Sequence, residues 1–296
     1  MKNFRIGIVG SENFHAKEFT KFFNKGDENG DLIYPDCHVT LVYGNYPEEN
    51  EALVKEFGAD AVANSIEEMV ENVDAVMITA RDGRFHADFA IPFIEKGIPA
   101  FIDKPFTSDP AEALALVRLA KEKGVPLCGG STVKYADGVK ELKDIKNELA
   151  PTVHGGTAAA PLSFKNEYGD FWFYSSHLAE ITMEIFGYGP RAVTARENNQ
   201  SVCAIVDYEG FSVTCNFMEK SYTSYSASLF AEQKTEHRAI SLGPVFRRGC
   251  DNFVNMIRSG KMPASYEELV APVVFLDAVK RSYETGKTVE MKYERI

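Results

Sequence analysis

Strand-like and helical segments alternate along the first 125 residues. Short apolar segments typical of strands occupy residues 4–9, 37–43, 61–63, 75–79, 99–102 and 125–128. Segments whose apolar residues recur with helical spacing occupy residues 15–24, 48–57, 66–71, 86–96 and 110–123. Apolar strands that alternate with helices are typical of a parallel sheet covered on both faces. The pattern therefore predicts an α/β fold with a doubly wound parallel sheet, in an N-terminal nucleotide-binding domain that we place at residues 1–125.

The pattern changes after Gly129 and Gly130. Strand-like segments of the second half occupy residues 151–157, 192–196, 201–208, 210–218, 226–230 and 237–242. Helical segments occupy residues 139–148, 178–186, 250–259 and 266–285. Asp207–Gly210 joins two of the strand-like segments and has the composition of a hairpin turn. Residues 126–296 are therefore predicted to form an α+β domain with a mainly antiparallel sheet and flanking helices.

Residues 98–106 combine a short apolar strand with an acid, a lysine and a proline. Lys104 follows Asp103 at the carboxyl end of this predicted strand, and residues 107–110 then begin a helix. Ligands of open α/β sheets bind at the carboxyl ends of the strands. Pro105 disfavours a helical conformation for Lys104, which holds the ammonium group at that edge. Lys104 is therefore a candidate catalytic residue, with a surface lysine before a helix as the alternative.

The turn after the first predicted strand resembles a dinucleotide-binding turn only in part. Such a turn has the pattern G-x-G-x-x-G, because glycines allow a tight turn and a close approach to the pyrophosphate. Here the turn is Gly10–His15, with Gly10 at the first glycine position, Glu12 at the second and His15 at the third. Glu12 would repel a pyrophosphate unless it points away or caps the helix. His15 would either neutralise a phosphate or pack at the helix start.

The end of the second predicted strand carries no acid for the ribose hydroxyls of a dinucleotide. It contains Tyr43–Tyr46, in which Asn45 is the one side chain suited to bond a ribose. No nearby arginine marks a site for a 2′-phosphate, so the turn residues leave NAD and NADP both open as cofactors. Ordinary dinucleotide binding and a lost or altered site also stay open.

A second group of candidate residues surrounds His177. His177 and Glu180 are three residues apart and share a helix face, so His177 is either a general acid/base or a packing histidine. Glu180 is either its orienting partner or a surface carboxylate. The preceding aromatic residues 171–174 belong either to the core or to the wall of a ligand pocket.

Composition excludes several classes of function. The net charge of −11 argues against a nucleic-acid partner, because phosphate binding needs a basic surface. No run of apolar residues is long enough to span a membrane, and the start of the chain lacks the apolar region of a signal peptide. The five cysteines lack metal-ligand spacing, which favours thiols in a reducing cytoplasm over disulfides or a metal site.

Several segments together resemble the Gfo/Idh/MocA oxidoreductases. The strand ending at Thr79 and Ala80, the histidine that opens the next helix (His86) and the Asp103–Pro105 triplet follow the pattern of that family. Residues 251–257 and 278–287 are also similar to it. The resemblance implies a Rossmann domain joined to a domain with an open-faced sheet, which often forms homodimers or homotetramers. It also implies an NAD(P)-dependent enzyme that acts on sugars, polyols or related compounds.

The resemblance implies roles for individual residues. It makes Lys104 and His177 the catalytic pair. Together with the turn pattern it assigns cofactor binding to Gly10, Ser11, Asn13, Phe14, Asn45, Thr79, Ala80, His86, Asp103 and Lys104. Substrate binding is assigned to Lys134, Lys165, Trp172, Tyr174 and His177. Asp103 replaces the usual glutamate, which is a mild change. Three functional positions depart further from the family: Phe173, where many relatives have an aspartate, Glu12, and the end of the second strand, which lacks an acid.

These observations favour a cytoplasmic oxidoreductase that transfers a hydride to or from a carbohydrate-like alcohol or ketone, with NAD or NADP as cofactor. One alternative is a catalytically altered or inactive relative that binds a ligand or regulates. Another is a non-redox enzyme that recycles bound NAD. The sequence does not identify the substrate.

Overall fold

The computed structural model describes residues 3–27, 29–150, 152–294 and 296, which fall into two compact units. The first unit comprises Met1–Thr107, Ala111–Gly130 and Phe246–Tyr266. The second comprises Ser108–Pro110, Ser131–Val245 and Glu267–Ile296. The long middle segment of the second unit begins at Ser131, six residues after the domain boundary proposed at residue 125. Phe246–Tyr266, which the proposed boundary assigns to the second domain, belongs to the first unit.

The elements follow in chain order. The first part of the chain contains β1 (Phe4–Val9), α1 (Phe14–Asn24), β2 (Cys37–Tyr43), α2 (Pro47–Lys55), β3 (Ala61–Val62), α3 (Ile66–Asn72), β4 (Ala75–Ile78), α4 (His86–Glu95), β5 (Ala100–Ile102), α5 (Pro110–Lys123) and β6 (Leu127–Gly129). The remainder contains α6 (Asp137–Leu149), β7 (Val153–Leu162), α7 (Phe171–Phe186), β8 (Ala192–Asn198), β9 (Ser201–Asp207), β10 (Ser212–Glu219), β11 (Ser226–Ala231), β12 (Lys234–Ala239), α8 (Val245–Ser259), α9 (Tyr266–Thr285) and β13 (Val289–Glu290).

The sheet of the first unit is parallel throughout the described residues and has the order β3-β2-β1-β4-β5-β6. The chain therefore leaves β1 in opposite directions across the sheet, first towards β3 and then towards β6. Ligands of such sheets bind in the crevice at this switch point, outside the carboxyl ends of the strands. All residues of β4 and β5 are buried, as expected for strands covered on both faces. The predicted doubly wound parallel sheet is confirmed.

Helix α8 contributes to the core of the first unit, although the sequence pattern places it in the second domain. Cys250, Phe253, Val254 and Met256 of α8 belong to the same buried cluster as Phe101 of β5. The rings of Phe101 and Phe253 meet edge to face, with centroids 6.3 Å apart. An amphipathic pattern predicts a helix with one buried face, but it does not say which core that face joins.

The second unit contains a mixed, mainly antiparallel sheet of order β12-β11-β7-β10-β9-β8-β13 within the described residues. The pair of β10 and β7 is parallel, and the other pairs are antiparallel. Helix α7 packs closely on β7, since a Cβ at Gly156 would lie 2.3 Å from the Phe186 ring. Along β9, buried residues alternate with Cys203 and Ile205, which are exposed. The predicted α+β architecture of this half is confirmed.

Several element boundaries differ from those expected from the sequence. Strand β7 extends to Leu162, five residues beyond the predicted strand, whose first residue, Pro151, lies outside the described residues. Strand β12 occupies Lys234–Ala239 rather than residues 237–242, because its register is set by pairing with β11. Helices α7 and α8 begin at Phe171 and Val245, several residues earlier than their apolar periodicity indicates. No helix in the described part of the chain is long and apolar enough to cross a membrane.

The turn between β1 and α1 requires a glycine at its first position. Gly10 has a φ of +94°, and a Cβ there would lie 2.2 Å from the backbone nitrogen of Ala80. The turn after β1 thus lies directly against the end of β4. This close approach shapes the crevice at the switch point of the sheet.

Replacing Gly10 by alanine is expected to lower the free energy of unfolding by more than about 2 kcal/mol, because a positive φ alone costs about 1–2 kcal/mol for an L-residue and the contact with Ala80 adds to it. Gly97→Ala is the matched control, since Gly97 has a φ of +83° with no atom within 4 Å of the added Cβ. Urea denaturation followed by circular dichroism measures both. Equal losses for the two variants would contradict the steric argument.

Candidate active site

Three segments of the first unit meet at the carboxyl ends of β1, β4 and β5. The Gly10 amide donates to the Tyr43 carbonyl at 2.8 Å. The Thr79 hydroxyl lies 3.1 Å from the Val9 carbonyl oxygen and 2.9 Å from that of Gly10. The Asp103 amide donates to the Ile78 carbonyl at 2.9 Å. The sequence-predicted residues of this unit are therefore gathered at one edge of one sheet.

Lys104 is buried at this edge, with only 3% of its surface exposed. The Lys104–Pro105 peptide bond is cis. Burial lowers the pKa of the Lys104 ammonium to about 8, an effect that the charge of Asp103 opposes and that of Arg81 adds to. A lysine with this pKa is present in both protonation states near neutral pH. It can therefore accept or donate a proton, which an ordinary surface lysine does poorly at this pH.

The Asp103 carboxylate is completely buried and is held by the turn after β1. Its Oδ2 lies 2.6 Å from Nδ1 of His15 and accepts a hydrogen bond from Nδ2 of Asn13 at 3.3 Å. Burial raises the pKa of Asp103, but the charge and hydrogen bond of His15, together with the charges of Lys104 and His86, outweigh it and leave the pKa lowered. Asp103 is therefore an anion whose negative charge stabilises the protonated form of Lys104.

The structure resolves the open roles of the turn residues. Asn13 caps α1, because its Oδ1 accepts from the His15 amide at 3.2 Å, so Glu12 does not cap the helix. The Glu12 carboxylate instead accepts a hydrogen bond from the Arg81 amide at 2.8 Å. His15 binds Asp103 and also packs edge to face against Phe246, with ring centroids 4.7 Å apart. Both polar ends of the Asn13 side chain are thus engaged within the protein.

His86 connects the end of β4 to the Asp103–Pro105 segment. The side chain is fully buried, with Nε2 2.8 Å from the Ala80 carbonyl oxygen and Nδ1 2.7 Å from that of Pro105. Since both nitrogens are engaged, His86 contributes to the edge by holding Ala80 and Pro105 in place.

Buried oxygens and a close backbone contact make the edge suitable for a polar cofactor. Among the described residues, Ser11 Oγ and Asp103 Oδ1 are buried and have no hydrogen-bond partner. A Cβ at Gly44 would lie 2.5 Å from Ser11 Oγ, so the turns after β1 and β2 lie close together. Unsatisfied buried acceptors are costly unless a ligand or water provides a donor. These residues fit a ligand with hydroxyl or amide donors, such as a nicotinamide dinucleotide.

The other cofactor candidates lie on the solvent side of the same edge. Phe14 at the start of α1 is 55% exposed, and Asn45 after β2 is also exposed. Two further exposed aromatic residues, Tyr46 and Phe85, precede α2 and α4 and were not predicted to belong to this edge. Large exposed aromatic side chains beside a ligand edge are the signal that would have identified them.

In the second unit, His177 is held by the turn that follows β6. His177 is buried on α7, and its Nδ1 lies 2.6 Å from the hydroxyl oxygen of Ser131. Ser131 precedes a 3₁₀ turn, Thr132–Tyr135, and the Val133 amide donates to the same hydroxyl oxygen at 3.2 Å. The rings of Tyr174 and Tyr225 flank the imidazole at centroid distances of 6.1 and 5.9 Å. Ser131 was not predicted to belong to this site, because no spacing rule relates it to His177.

Glu180 forms a buried ion pair with Lys134. Its Oε2 accepts from Lys134 Nζ at 3.0 Å, and its Oε1 accepts from the Ser131 amide at 3.1 Å. Burial lowers the pKa of the Lys134 ammonium, but the charge and hydrogen bond of Glu180, together with the charges of Tyr135 and Glu184, outweigh it and leave the pKa raised. The surface location considered for Glu180 is wrong, because the side chain is almost fully buried. Its hydrogen bonds orient Ser131, which in turn contacts His177.

The remaining substrate candidates differ in their surroundings. Phe171 is buried against Phe217, with ring centroids 5.7 Å apart, and belongs to the core of the second unit. Trp172, Phe173 and Tyr174 are only partly buried, and Lys165 is exposed. Within the described ranges, no group of three or more His, Cys, Asp or Glu side chains is arranged to hold a metal ion.

Residues 4–130 match a family model described as an oxidoreductase family with an NAD-binding Rossmann fold. An uncharacterized oxidoreductase of Streptococcus pneumoniae is 28% identical over 146 residues, which cover 49% of this chain and 36% of that protein. An inositol 2-dehydrogenase of Corynebacterium glutamicum is 28% identical over 127 residues, covering 42% of this chain and 35% of that protein. A scyllo-inositol 2-dehydrogenase (NADP(+)) of Bacillus subtilis is 25% identical over 242 residues, covering 72% of this chain and 63% of that protein. The chain thus spans less than two thirds of each relative.

Solved structures share the fold along nearly the whole chain. A myo-inositol 2-dehydrogenase from Lactobacillus plantarum has a TM-score of 0.83 at 15% identity, covering 98% of this chain and 100% of that one. A scyllo-inositol dehydrogenase from Lactobacillus casei with bound NAD(H) and scyllo-inositol has a TM-score of 0.83 at 15% identity, covering 98% and 99%. At such low identity the likeness shows a common fold. It supports the predicted two-part architecture.

Replacing Lys134 by methionine is expected to lower the free energy of unfolding by about 3–5 kcal/mol, because it leaves the Glu180 carboxylate buried without its cation. Lys140→Met is the control, since Lys140 pairs with Asp144 at 2.5 Å and both side chains are largely exposed. This control should change stability little, because solvent screens an exposed pair. Chemical denaturation of both variants measures the difference, and a Lys134 variant no less stable than the control would contradict the assigned burial of the ion pair.

Proposed function

Because residues 4–130 belong to the Gfo/Idh/MocA oxidoreductase family, we propose that the protein transfers a hydride between a nicotinamide dinucleotide and a sugar, polyol or related hydroxy or keto compound. The observation that carries the proposal is Lys104, a buried lysine with a pKa of about 8 at the ligand-binding edge of a Rossmann sheet. The names of the relatives also favour this function over a regulatory protein or a non-redox enzyme.

The proposed reaction separates hydride transfer from proton transfer. When bound, a nicotinamide dinucleotide supplies the hydride acceptor or donor. In alcohol oxidation the neutral amine of Lys104 accepts the hydroxyl proton while the adjacent carbon loses its hydride. In the reverse direction the Lys104 ammonium returns that proton to the oxygen. We assign to His177 the second contact with the reacting oxygen.

The cofactor would be held by the turns at the edge of the first sheet. Gly10 allows the close backbone approach, and Ser11 Oγ and Asp103 Oδ1 offer acceptors that lack a partner among the described residues. Phe14, Asn45, Thr79 and Ala80 border the same edge and remain proposed contacts. Asn13 and His86 support the site by fixing these turns. NAD and NADP both remain candidates, since one relative is named for NADP(+) and one structurally similar dehydrogenase contains bound NAD(H).

The substrate class follows from the relatives and from the second unit. The inositol dehydrogenases among the relatives support a polyol or sugar, whose hydroxyl groups need several polar partners. We propose that Lys165, Trp172 and Tyr174 supply a polar and aromatic wall, with His177 at the reacting oxygen. Lys134 acts on His177 indirectly, because it binds Glu180, which accepts from the Ser131 amide.

We further propose a homodimer or homotetramer formed through the second sheet. Cys203 and Ile205 of β9 and Phe230 of β11 are exposed on the same face of this sheet, with polar residues such as Thr214 between them. Residues of this kind are typical of subunit interfaces. A cytoplasmic location is also proposed, because all five cysteines are thiols.

The pH dependence of turnover tests the role of Lys104. Oxidation of an inositol or sugar substrate should accelerate as the pH rises through about 8, because the neutral amine is the proton acceptor. Lys104→Arg should lower kcat by about 10²–10⁴-fold and remove this rise, because a guanidinium keeps its proton. Lys96→Met, which removes an exposed lysine paired with Glu71, is the control and should leave the profile unchanged. Wild-type turnover in the arginine variant would overturn the proposed function.

Cofactor binding tests the effect of Glu12 separately from turnover. Glu12→Gln keeps an oxygen that can accept from the Arg81 amide but removes the negative charge at the second glycine position. NADH and NADPH should then bind about fivefold more tightly, because a charge near solvent contributes about 1 kcal/mol at close range. The control is Glu51→Gln, which neutralises an exposed carboxylate on α2.

Fluorescence titration of NADH and NADPH measures these affinities. An unchanged affinity in the Glu12 variant would mean that the carboxylate held by Arg81 lies away from the bound phosphates. Absence of binding to both the wild type and the variant would contradict the oxidoreductase proposal itself.

A further inference from the structure

We propose that Ser131 is a positioning residue whose hydroxyl donates to Nδ1 of His177 and thereby keeps the proton of the neutral imidazole on Nε2. This inference rests on the proposed function in one respect, namely that His177 contacts the reacting oxygen. The hydrogen bond itself is a property of the second unit alone. It can be tested without cofactor or substrate.

The contacts of the Ser131 hydroxyl decide its direction. A serine hydroxyl has one hydrogen to donate and two lone pairs to accept. The Val133 amide, which can only donate, lies 3.2 Å from Ser131 Oγ and takes one lone pair. His177 Nδ1, at 2.6 Å, is the other polar atom in contact with Oγ in the described part of the chain. Ser131 is completely buried, so solvent does not replace a missing partner.

Only one placement of the hydrogens satisfies the Ser131 hydroxyl, the Val133 amide and His177 Nδ1 together. If the hydroxyl donates to Nδ1, its hydrogen and one lone pair are both used, and Nδ1 needs no proton. If Nδ1 donated instead, Ser131 Oγ would accept twice and its own hydrogen would be buried without an acceptor. An unsatisfied buried donor is unfavourable. The first arrangement is therefore preferred, with the imidazole proton on Nε2.

The ion pair beneath this contact fixes Ser131 in position. Glu180 accepts from the Ser131 amide through Oε1 and from Lys134 through Oε2, so the serine and the lysine of the 3₁₀ turn bind one carboxylate. His177 and Glu180 lie three residues apart on α7 and therefore face the same turn. The serine backbone is held by Glu180 while its side chain is directed at His177. Rotation of the imidazole would break the contact between Ser131 Oγ and His177 Nδ1, while the Ser131 amide would remain bound to Glu180.

The assigned tautomer gives Lys104 and His177, the two proposed catalytic residues, different roles. A neutral imidazole with hydrogen on Nε2 donates a hydrogen bond from that atom and does not accept a proton there. His177 would then stabilise negative charge on the reacting oxygen, and Lys104 would exchange the proton. The aromatic rings of Tyr174 and Tyr225 beside the imidazole limit its rotation further.

The direct test is the protonation pattern of His177 in the wild-type protein. Long-range proton–nitrogen correlation spectra of the full chain, labelled with ¹⁵N-histidine, distinguish protonated from unprotonated ring nitrogens. The protein has six histidines, and the signals absent from a His177→Gln variant identify the ring. About two pH units above the usual histidine pKa of about 6.5, Nε2 should carry the proton and Nδ1 should not. A proton on Nδ1, or a doubly protonated ring, would overturn the proposal.

Kinetics of matched serine variants test the positioning role. Ser131→Ala should lower kcat about tenfold with little change in the KM for cofactor, because one hydrogen bond to the imidazole is lost. Ser131→Thr, which keeps the hydroxyl, should restore most of the loss. Ser175→Ala is the control, since Ser175 is a fully buried serine of α7 whose hydroxyl has no partner among the described residues. An unchanged kcat in Ser131→Ala would contradict the role of the hydroxyl.

The outcomes separate this inference from the proposed function. If His177→Gln retains wild-type turnover, the assignment of His177 to the reaction fails, while the spectra still decide the hydrogen bond. If His177→Gln is inactive and Ser131→Ala is fully active, His177 is retained and the positioning role of Ser131 fails.

Discussion

The chemistry of the first unit depends on one buried carboxylate. Asp103 has no exposure to solvent, and its negative charge is balanced by groups from three separate segments: His15 from the turn after β1, His86 from the start of α4 and Lys104 beside it. Without this anion, burial would depress the pKa of Lys104 further, since the charge of Arg81 acts in the same direction. The carboxylate also ties the turn after β1 to the end of β5. Asp103 therefore determines both how these two segments are held together and how readily Lys104 keeps its proton.

The second unit uses a carboxylate in a comparable way. Glu180 is also buried, binds a lysine and accepts a backbone amide. Here the lysine pKa is raised rather than lowered, because the ammonium is in direct contact with the carboxylate and Tyr135 and Glu184 act in the same direction. Lys134 is thus fixed as a cation that serves structure, whereas Lys104 can change its charge near neutral pH. Two buried lysines of one chain thus differ in the direction of their pKa shift because of the groups nearest to each.

The sequence predicted the parts of the structure that depend on local pattern. Residues 75–78, for example, are apolar throughout because both faces of their strand are covered, and this pattern is visible in the sequence. The contact of His15 with Asp103 joins residues 88 positions apart, and no rule of sequence spacing predicts it. Ser131 and His177 are 46 positions apart, so their contact was not predictable from spacing either. Glu12 was expected to repel a ligand or to cap a helix, and its bond to the Arg81 amide depends on how closely two turns approach.

The position of α8 in the first unit has a consequence for the order in which the protein forms. The buried cluster that supports β5 contains Cys250 and Phe253, which are synthesised more than a hundred residues after β6. While the chain emerges from the ribosome, the Rossmann sheet therefore lacks part of its cover until α8 has been made. The whole of Ser131–Val245, with most of the second sheet, emerges during that interval. The first unit therefore cannot be completed until most of the second has been synthesised. A fragment ending at Gly130 would expose apolar residues that α8 normally buries.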